Sequence, residues 1–264
     1  MTAFLGYVLP WGCSYGPTWL NWPINFTFVN ITPLVALVEP DRKTELFHNS
    51  TAVSSKAGPQ APGFQRIGPH NLDVISVLIG NMLGDGWAEN RSHNTRFHIH
   101  MGSPNVEYLM WLHNFFSERG YCSSKKPQLK RNINKGNKIY FSYKFRTWTY
   151  SSLNWIYHSF YNQNKVKIVP FNIQELLTPL TLAIWVMDDG GVHPSGLIFS
   201  TYCFDIDGVT LLQKALKNKF DIETTIQSRK AGLIIYLPKN QLPKLSKSIR
   251  DLMIPSMYYK LNGY

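Results

Sequence analysis

Two nine-residue stretches of the chain repeat one pattern, an apolar run that ends in Asp-Gly. They are LIGNMLGDG at Leu78–Gly86 and LAIWVMDDG at Leu182–Gly190. The apolar spacing predicts a helix in each, and the two aspartates, Asp85 and Asp189, stand 104 positions apart. The C-terminal end of a helix carries partial negative charge, which disfavours a carboxylate there unless a cation compensates it. The pattern therefore predicts a tandem duplication with a shared cation site.

The segments around the two motifs repeat as well. The first helix is predicted to begin after Asn71 as N-cap, and the second after Thr178, with Pro179 at the first helical position. The glycine after each aspartate is predicted to close its helix in the left-handed conformation. After each motif come a loop, a strand, a helix, further strands and a closing helix. This order predicts an α+β fold with two similar halves, residues 71–170 and 171–264.

The positive charge of the chain lies mostly in these two halves. The net charge is +11, of which residues 71–264 carry +10. The densest stretch, Arg119–Arg146, contains nine Lys and Arg and no acidic residue, and aromatic side chains alternate with the basic ones near its end. A charged run is usually a solvated surface, but a run without acids and with interleaved aromatics favours a polyanion-binding surface.

The first 70 residues have a different composition. Residues 13–70 are rich in Pro, Gly, Ser and Thr, which predicts a weakly ordered linker, with order beginning at Asn71. The three cysteines are odd in number and widely spaced, so they predict neither a metal site nor a disulfide framework and favour a reducing compartment. No apolar run approaches the ~18–20 residues of a membrane span, and no membrane association is expected.

The two motifs, together with the closing segment IPSMYYKL at Ile254–Leu261, resemble the LAGLIDADG homing endonucleases. The resemblance covers residues 71–264 and points to the single-chain, two-motif subgroup that includes the omega-intron endonuclease. It implies two pseudo-symmetric αββαββα halves packed through the motif helices, with antiparallel sheets that form a DNA-binding saddle. It further implies a monomer that cuts both strands of a long, asymmetric double-stranded DNA target.

The resemblance also implies an active centre at the helix ends. Asp85 and Asp189 are assigned to divalent metal binding, normally Mg²⁺, and to catalysis. Gly84 and Asp188 precede them and complete the predicted metal site. We interpret Asp188 as a supporting or capping residue, because the family pattern places the metal ligand directly before the glycine.

Two lysines match family lysines near the active centre. They are Lys167 in KIVP and Lys260 in YYKL, and each is expected to polarise water or to balance phosphate charge. Lys165 remains an alternative for the role of Lys167, because a small shift in the alignment with the family pattern would place Lys165 at the matching position.

The packing of the motif helices is predicted from their small residues. Gly80 and Gly84 lie on one face of the first helix, which allows a close approach of the helix backbones. The second helix has Ile184 and Asp188 at the equivalent positions. This difference predicts a looser crossing on that side and, with it, a non-palindromic target.

The remaining candidate residues are basic side chains and histidines of the predicted strands and loops, which we expect to contact DNA. His93, His98 and His100 could alternatively form a metal cluster. His98 and His100 share one strand face with Arg96, however, and this favours DNA contact. The candidate DNA-binding residues are Arg91, Arg96, His98, His100, Lys125, Lys126, Lys130, Arg131, Lys138, Lys144, Arg146 and Arg229.

A second resemblance concerns residues 2–12, TAFLGYVLPWG, which are similar to a segment of cytochrome b. A leader of this kind, residues 1–12, implies an open reading frame within a mitochondrial cytochrome b intron. The predicted function is a site-specific DNA endonuclease that drives intron homing into the intronless gene. The alternatives are an RNA maturase that assists splicing of its own intron, and a catalytically inactive DNA-binding protein. Retention of both aspartates favours the nuclease.

Overall fold

The computed structural model describes residues 66, 68–133 and 136–264, and these form two halves of the same architecture. The predicted leader and nearly all of the linker lie outside the described residues. The first half contains α1 (Leu72–Leu83), β1 (Trp87–Arg91), β2 (Asn94–Gly102), α2 (Val106–Glu118), β3 (Lys130–Ile133), β4 (Ile139–Arg146) and α3 (Asn154–Phe160). The second contains α4 (Ile173–Leu176), α5 (Pro179–Asp189), β5 (Gly190–His193), β6 (Gly196–Ser200), α6 (Ile206–Phe220), β7 (Thr225–Arg229), β8 (Gly232–Pro238) and α7 (Leu242–Ile249). The α+β prediction is confirmed.

Each half has one four-stranded antiparallel sheet. The strand order is β1-β2-β4-β3 in the first sheet and β5-β6-β8-β7 in the second. Along β2, Phe97, Ile99 and Met101 are buried in the core, and the side chains that alternate with them are partly exposed. Because successive side chains of a strand point to opposite faces, each sheet has one face on the core and one face not covered by helices. We call the latter the open face.

The two motif helices, α1 and α5, pack directly against each other. A Cβ atom on Gly80 would lie 2.5 Å from the Cβ of Ile184 and 2.8 Å from the main-chain oxygen of Thr181. A Cβ on Gly84 would lie 2.4 Å from the Cβ of Asp188. The predicted close approach is therefore present at both glycines. The expected looser crossing at Ile184 and Asp188 is wrong, because each of these larger side chains fits against a glycine of the opposite helix.

The ends of the motif helices differ in part from the prediction. Thr178 caps α5 as predicted, since its hydroxyl accepts a hydrogen bond from the Thr181 N–H. Asn71 occupies the N-cap position of α1 without a side-chain capping bond. Neither Gly86 nor Gly190 has a positive φ, so the predicted left-handed closure is wrong. These glycines instead relieve crowding, because a Cβ atom would lie 2.8 Å and 2.5 Å, respectively, from a helix carbonyl oxygen.

The described residues just before α1 are anchored to the first half. Arg66 is buried and donates hydrogen bonds of 3.1 Å to the main-chain and side-chain oxygens of Thr149. The His70 ring hydrogen-bonds with the hydroxyls of Tyr121 at 2.6 Å and Ser152 at 2.7 Å. The packed structure therefore begins before Asn71, the position that the composition predicts.

None of the helices in the described part of the chain has the length and apolar character needed to cross a membrane.

Candidate functional site

The Asp-Gly ends of α1 and α5 meet at the same end of the helix pair. Burial and the neighbouring Asp85 carboxylate raise the pKa of Asp189 to about 7, and two nearby lysines only partly oppose this. Burial also raises the pKa of Asp85, although this side chain keeps an exposed surface. An effect of the Asp85 charge on the pKa of Asp189 requires a short distance between the two carboxylates. The structure thus brings the two predicted aspartates together at a partly buried, solvent-accessible site.

The two predicted lysines hold the two helix ends. Lys167 Nζ donates to the main-chain oxygens of Gly84 at 2.9 Å and Gly86 at 3.0 Å. Lys260 Nζ donates to those of Met187 at 2.5 Å and Asp188 at 3.2 Å. The last carbonyls of a helix lack intrahelical partners and carry its negative partial charge. A lysine at this place supplies the carbonyls with a hydrogen-bond donor and offsets the charge. The same contact occurs at both ends, as a duplicated fold requires.

The structure distinguishes between the two candidate lysines near residue 167. Lys165 is exposed and lies in a turn with a positive φ of 59°. Lys167 forms an isolated bridge with Tyr161, which directs it toward the end of α1. Burial lowers the pKa of Lys167 and of Lys260, and the nearby aspartates oppose this effect. Lys167 is therefore the lysine that reaches the site.

The side chain of Asp188 is engaged between the helices. Its Oδ2 accepts a hydrogen bond of 3.1 Å from Asn81 Nδ2 across the α1–α5 contact, and its Oδ1 is buried without a partner. Burial, followed by the charge of Asp85, raises the pKa of Asp188 well above its usual value. Tyr108 of α2 is fully buried beside this pair. These contacts agree with the interpretation of Asp188 as a supporting residue.

Asn81 and Tyr108 were not identified by sequence reasoning. A signal was present for Asn81, since it is an amide within the apolar run LIGNML at Leu78–Leu83. Buried polar side chains of this kind normally have partners. For Tyr108 the sequence contained no such signal, because only the packing of α2 brings it to Asp188.

Most of the predicted DNA-binding residues share the open face of the first sheet. Residues directly opposite each other in an antiparallel pair lie on the same face. The register pairs His98 with Arg146 and His100 with Lys144. The candidates on this face are Arg91, Arg96, His98, His100, Lys130, Lys144 and Arg146.

The other candidates lie elsewhere. Lys125 and Lys126 precede β3 and line a cavity of about 690 Å³ beside this open face. Lys138 lies in the connection between β3 and β4. Arg131 pairs with Phe141 and thus belongs to the opposite face of the sheet, so the structure does not group it with the others. Arg229 lies on the open face of the second sheet.

An acidic residue, Glu89, lies inside the basic open face and was missed from the sequence. Arg96 Nε donates to its carboxylate at 2.7 Å, His98 Nε2 lies 3.1 Å from it, and Arg91 also contacts it. Burial acts to raise the pKa of Glu89, but the hydrogen bonds prevail and lower it to about 2. Trp87 stacks on His98 with ring centroids 5.0 Å apart. Within the described residues, no three His, Cys, Asp or Glu side chains converge to form a metal cluster.

Replacement of Lys260 by methionine is expected to destabilise the protein. The buried main-chain oxygen of Met187 loses its donor, and an unsatisfied buried acceptor costs about 1–3 kcal/mol. Lys247→Met is the matched control, because this lysine is exposed on α7 and exposed substitutions usually change stability by about 0.5 kcal/mol or less. Urea unfolding measures both variants. Equal stability of the two variants would contradict a capping role for Lys260.

Comparison with known proteins agrees with this geometry. Residues 75–245 match the sequence profile of the LAGLIDADG DNA endonuclease family. The fold is similar to a solved structure described as the homing endonuclease I-WcaI bound to its DNA recognition sequence, with a TM-score of 0.68 and 24% identity over 77% of this chain and 94% of that one. The chain therefore belongs to the LAGLIDADG DNA endonuclease family.

Relatives within the family have two kinds of name. The chain is 40% identical over 208 residues to the cytochrome b mRNA maturase bI2 of Saccharomyces cerevisiae, a match that covers 75% of this chain and 49% of that protein. It is 35% identical to the protein of the same name from Debaryomyces hansenii, over 74% of this chain and 76% of that one. It is 36% identical to the intron-encoded endonuclease ai4 of Dictyostelium discoideum, over 57% and 98%. The chain thus spans about half the length of the Saccharomyces relative.

Proposed function

We propose that this chain is a site-specific endonuclease that cuts double-stranded DNA by metal-dependent phosphodiester hydrolysis and so drives the homing of a cytochrome b intron. The observation that carries the proposal is the pair of aspartates, Asp85 and Asp189, at adjoining helix ends that are held by the partly buried Lys167 and the buried Lys260. The basic open face of the first sheet supports a polyanionic substrate. The DNA-bound relative of the same fold supports duplex DNA as that substrate.

The donor set at the helix ends fits a divalent cation. Magnesium is bound in proteins through one or two carboxylates, with water and substrate phosphates as further ligands. The Asp85 carboxylate contributes to the raised pKa of Asp189, so the two charges repel each other, and a bound cation would remove this repulsion. The main-chain oxygens of Gly84 and Asp188 are oriented by lysines at the same place. We infer that these four residues hold Mg²⁺.

Bound Mg²⁺ would lower the pKa of a water molecule and stabilise the leaving oxygen. The protein's own contribution is geometric. The helix contact at Gly80 and Gly84 fixes the separation of the two carboxylates, and Lys167 and Lys260 fix the chain where each aspartate emerges. In this proposal both lysines also offset the negative charge of the phosphates. One carboxylate faces each half of the target, which accounts for cleavage of both strands.

The stability of the metal-free protein is expected to depend on the ionisation of Asp189. Its pKa in the folded state, about 7, is above the ordinary value of 3.8, so the folded state binds this proton more tightly than the unfolded state. The contribution of Asp189 to the free energy of unfolding therefore falls as the pH rises from about 4 to 7. Mg²⁺ is expected to reverse this loss.

Thermal unfolding with EDTA or Mg²⁺ across this pH range, for the wild type and Asp189→Asn, measures the effect. Carboxylates outside the site titrate equally in both proteins, so the difference between the two curves reports Asp189 and the neighbouring groups coupled to it. Parallel curves for the two proteins would contradict the assignment.

A second function is favoured by the names of the relatives. Two of them are cytochrome b mRNA maturases, and residues 2–12 resemble a cytochrome b segment. We propose that the chain also assists splicing of its own intron in the mitochondrion, through binding that does not need the two aspartates.

The deciding experiment incubates the full chain with duplex DNA that spans the intronless cytochrome b junction, with Mg²⁺ or EDTA. The expected result is one double-strand break that depends on Mg²⁺, and absence of cleavage would refute the nuclease proposal. An in vitro splicing assay with the double variant Asp85→Asn, Asp189→Asn tests the second function. Splicing that persists while cleavage is lost would separate the two activities.

A further inference from the structure

The open faces of the two sheets carry very different charge. In the first sheet this face has five Lys or Arg side chains and one acid, and two histidines lie among them. In the second sheet the register places six side chains at the centre of the open face: Ile198, Ser200, Thr225, Gln227, Ile234 and Tyr236. Among the described residues of this second face, Arg229 alone carries a formal charge. The two halves therefore cannot bind DNA in the same way.

The centre of the second open face is apolar and is accessible at Ile198. Ile198 is partly exposed and lies between Gly191 and Tyr236 in the register. A Cβ atom on Gly191 would meet only the main-chain oxygen of Ile198, at an ordinary contact distance of 3.7 Å, so there is open space beside Ile198 at this position. Ile234 is buried, yet it lies outside the main core cluster, on the same face as Ile198.

The polar groups at the centre of this face are neutral and partly engaged. The Tyr236 hydroxyl donates to the main-chain oxygen of Ser195 at 2.6 Å, which leaves its ring as the contact surface. Arg229 donates to Gln227 Oε1 at 3.1 Å, which orients that amide.

We propose that the second sheet reads its half of the target through thymine methyl groups and adenine edges, so that this half is rich in A·T pairs at the contacted positions. The inference rests on the proposed DNA binding. In the major groove, the thymine C5-methyl is the group that apolar side chains contact, and a glutamine amide pairs with adenine N6 and N7. Guanine is most often read by Arg or Lys, and such side chains are concentrated on the first sheet. Ile198 and Gln227 are therefore the specificity-determining residues of the second half.

The test selects duplexes from a random DNA library that bind the full chain in EDTA, so it does not depend on cleavage. Footprinting of Lys144→Gln identifies the half of the selected site that faces the first sheet, since protection there weakens. Thymine is then replaced by deoxyuridine in each half separately, which removes only the methyl group. We expect affinity to fall about fourfold for each contacted methyl in the half that faces the second sheet, and little in the other.

Two variants connect this effect to the protein. Ile198→Ser is expected to abolish the difference in affinity between duplexes with thymine and duplexes with deoxyuridine. The matched control is Val192→Ser, because Val192 is an exposed apolar residue of the same sheet whose register partner, Leu197, lies on the core face. For Val192→Ser we expect the difference in affinity between thymine and deoxyuridine duplexes to be unchanged.

The possible failures are distinguishable. Absence of any selected duplex would refute DNA binding, and the present inference with it. A selected site without A·T enrichment in the second half, an equal deoxyuridine penalty in both halves, or an unchanged penalty in Ile198→Ser would overturn this inference alone.

Discussion

Replacement of Asp85 or Asp189 by asparagine is expected to lower the rate of double-strand cleavage by about 10³-fold or more. A metal ion at a phosphodiester contributes several kcal/mol of transition-state stabilisation, and about 1.4 kcal/mol corresponds to a factor of ten in rate. Asparagine keeps the shape of the side chain and removes the charge that holds the cation. Single-turnover cleavage of the junction duplex in Mg²⁺ measures the loss.

DNA affinity is expected to change little in the same variants, because neither aspartate belongs to the basic open face. Asp207→Asn is the matched control, since Asp207 is an exposed aspartate of α6, outside the helix contact. It should cleave at the wild-type rate. Cleavage by Asp189→Asn at a rate near that of wild type would refute the assigned metal site, and loss of binding in both variants would indicate a structural role.

Replacement of Gly80 by alanine is expected to lower the free energy of unfolding by about 3 kcal/mol. In an exposed helix the same change usually stabilises by roughly 0.5–1 kcal/mol, because glycine is a poor helix former. Here the added Cβ would lie 2.5 Å from the Cβ of Ile184 and 2.8 Å from the main-chain oxygen of Thr181. The two helix backbones must move apart, and this movement also separates the two aspartates.

Chemical denaturation of Gly80→Ala tests the sign of this effect, and cleavage of the junction duplex tests its consequence for the site. Gly102→Ala is the matched control, because its Cβ would meet only Pro104 Cδ at an ordinary 3.5 Å. A stabilised Gly80→Ala protein would mean that the helices do not cross as closely as described. Loss of stability in both variants would point to a general intolerance of substitution.

The parts of the site that were predictable have local signals in the chain. The apolar spacing placed both motif helices, and Thr178 with Pro179 marked the start of α5 because a cap needs only neighbouring residues. The alternation in RFHIHM placed β2 and its polar face. The parts that were not predictable involve distant residues. Glu89 was missed because Arg96 and His98, which hydrogen-bond to it, are on the next strand. Asn81 stands out as an amide in an apolar run, but its partner is on the other helix, and no local pattern identifies that partner.

The conformation of the motif glycines shows why local reasoning failed at one point. A glycine after a helix commonly closes it in a left-handed conformation, and the sequence alone favours that explanation. In the structure, the restriction at Gly190 is steric, with the Val186 carbonyl oxygen where a Cβ would lie. The carbonyls at the helix ends are satisfied instead by Lys167 and Lys260, from segments remote in sequence.

Three features are predictable from the chain alone, because each is a property of composition or of short-range spacing: the duplication, the two helix ends that carry Asp85 and Asp189, and the concentration of positive charge in the folded halves. How unequal the two halves are follows only from the folded protein. Whether Ile184 and Asp188 loosen the helix contact depends on the glycines opposite them. The weak charge of the second open face depends on strand register, which selects the side chains that point away from the core. Both are long-range relations, and no local pattern specifies them.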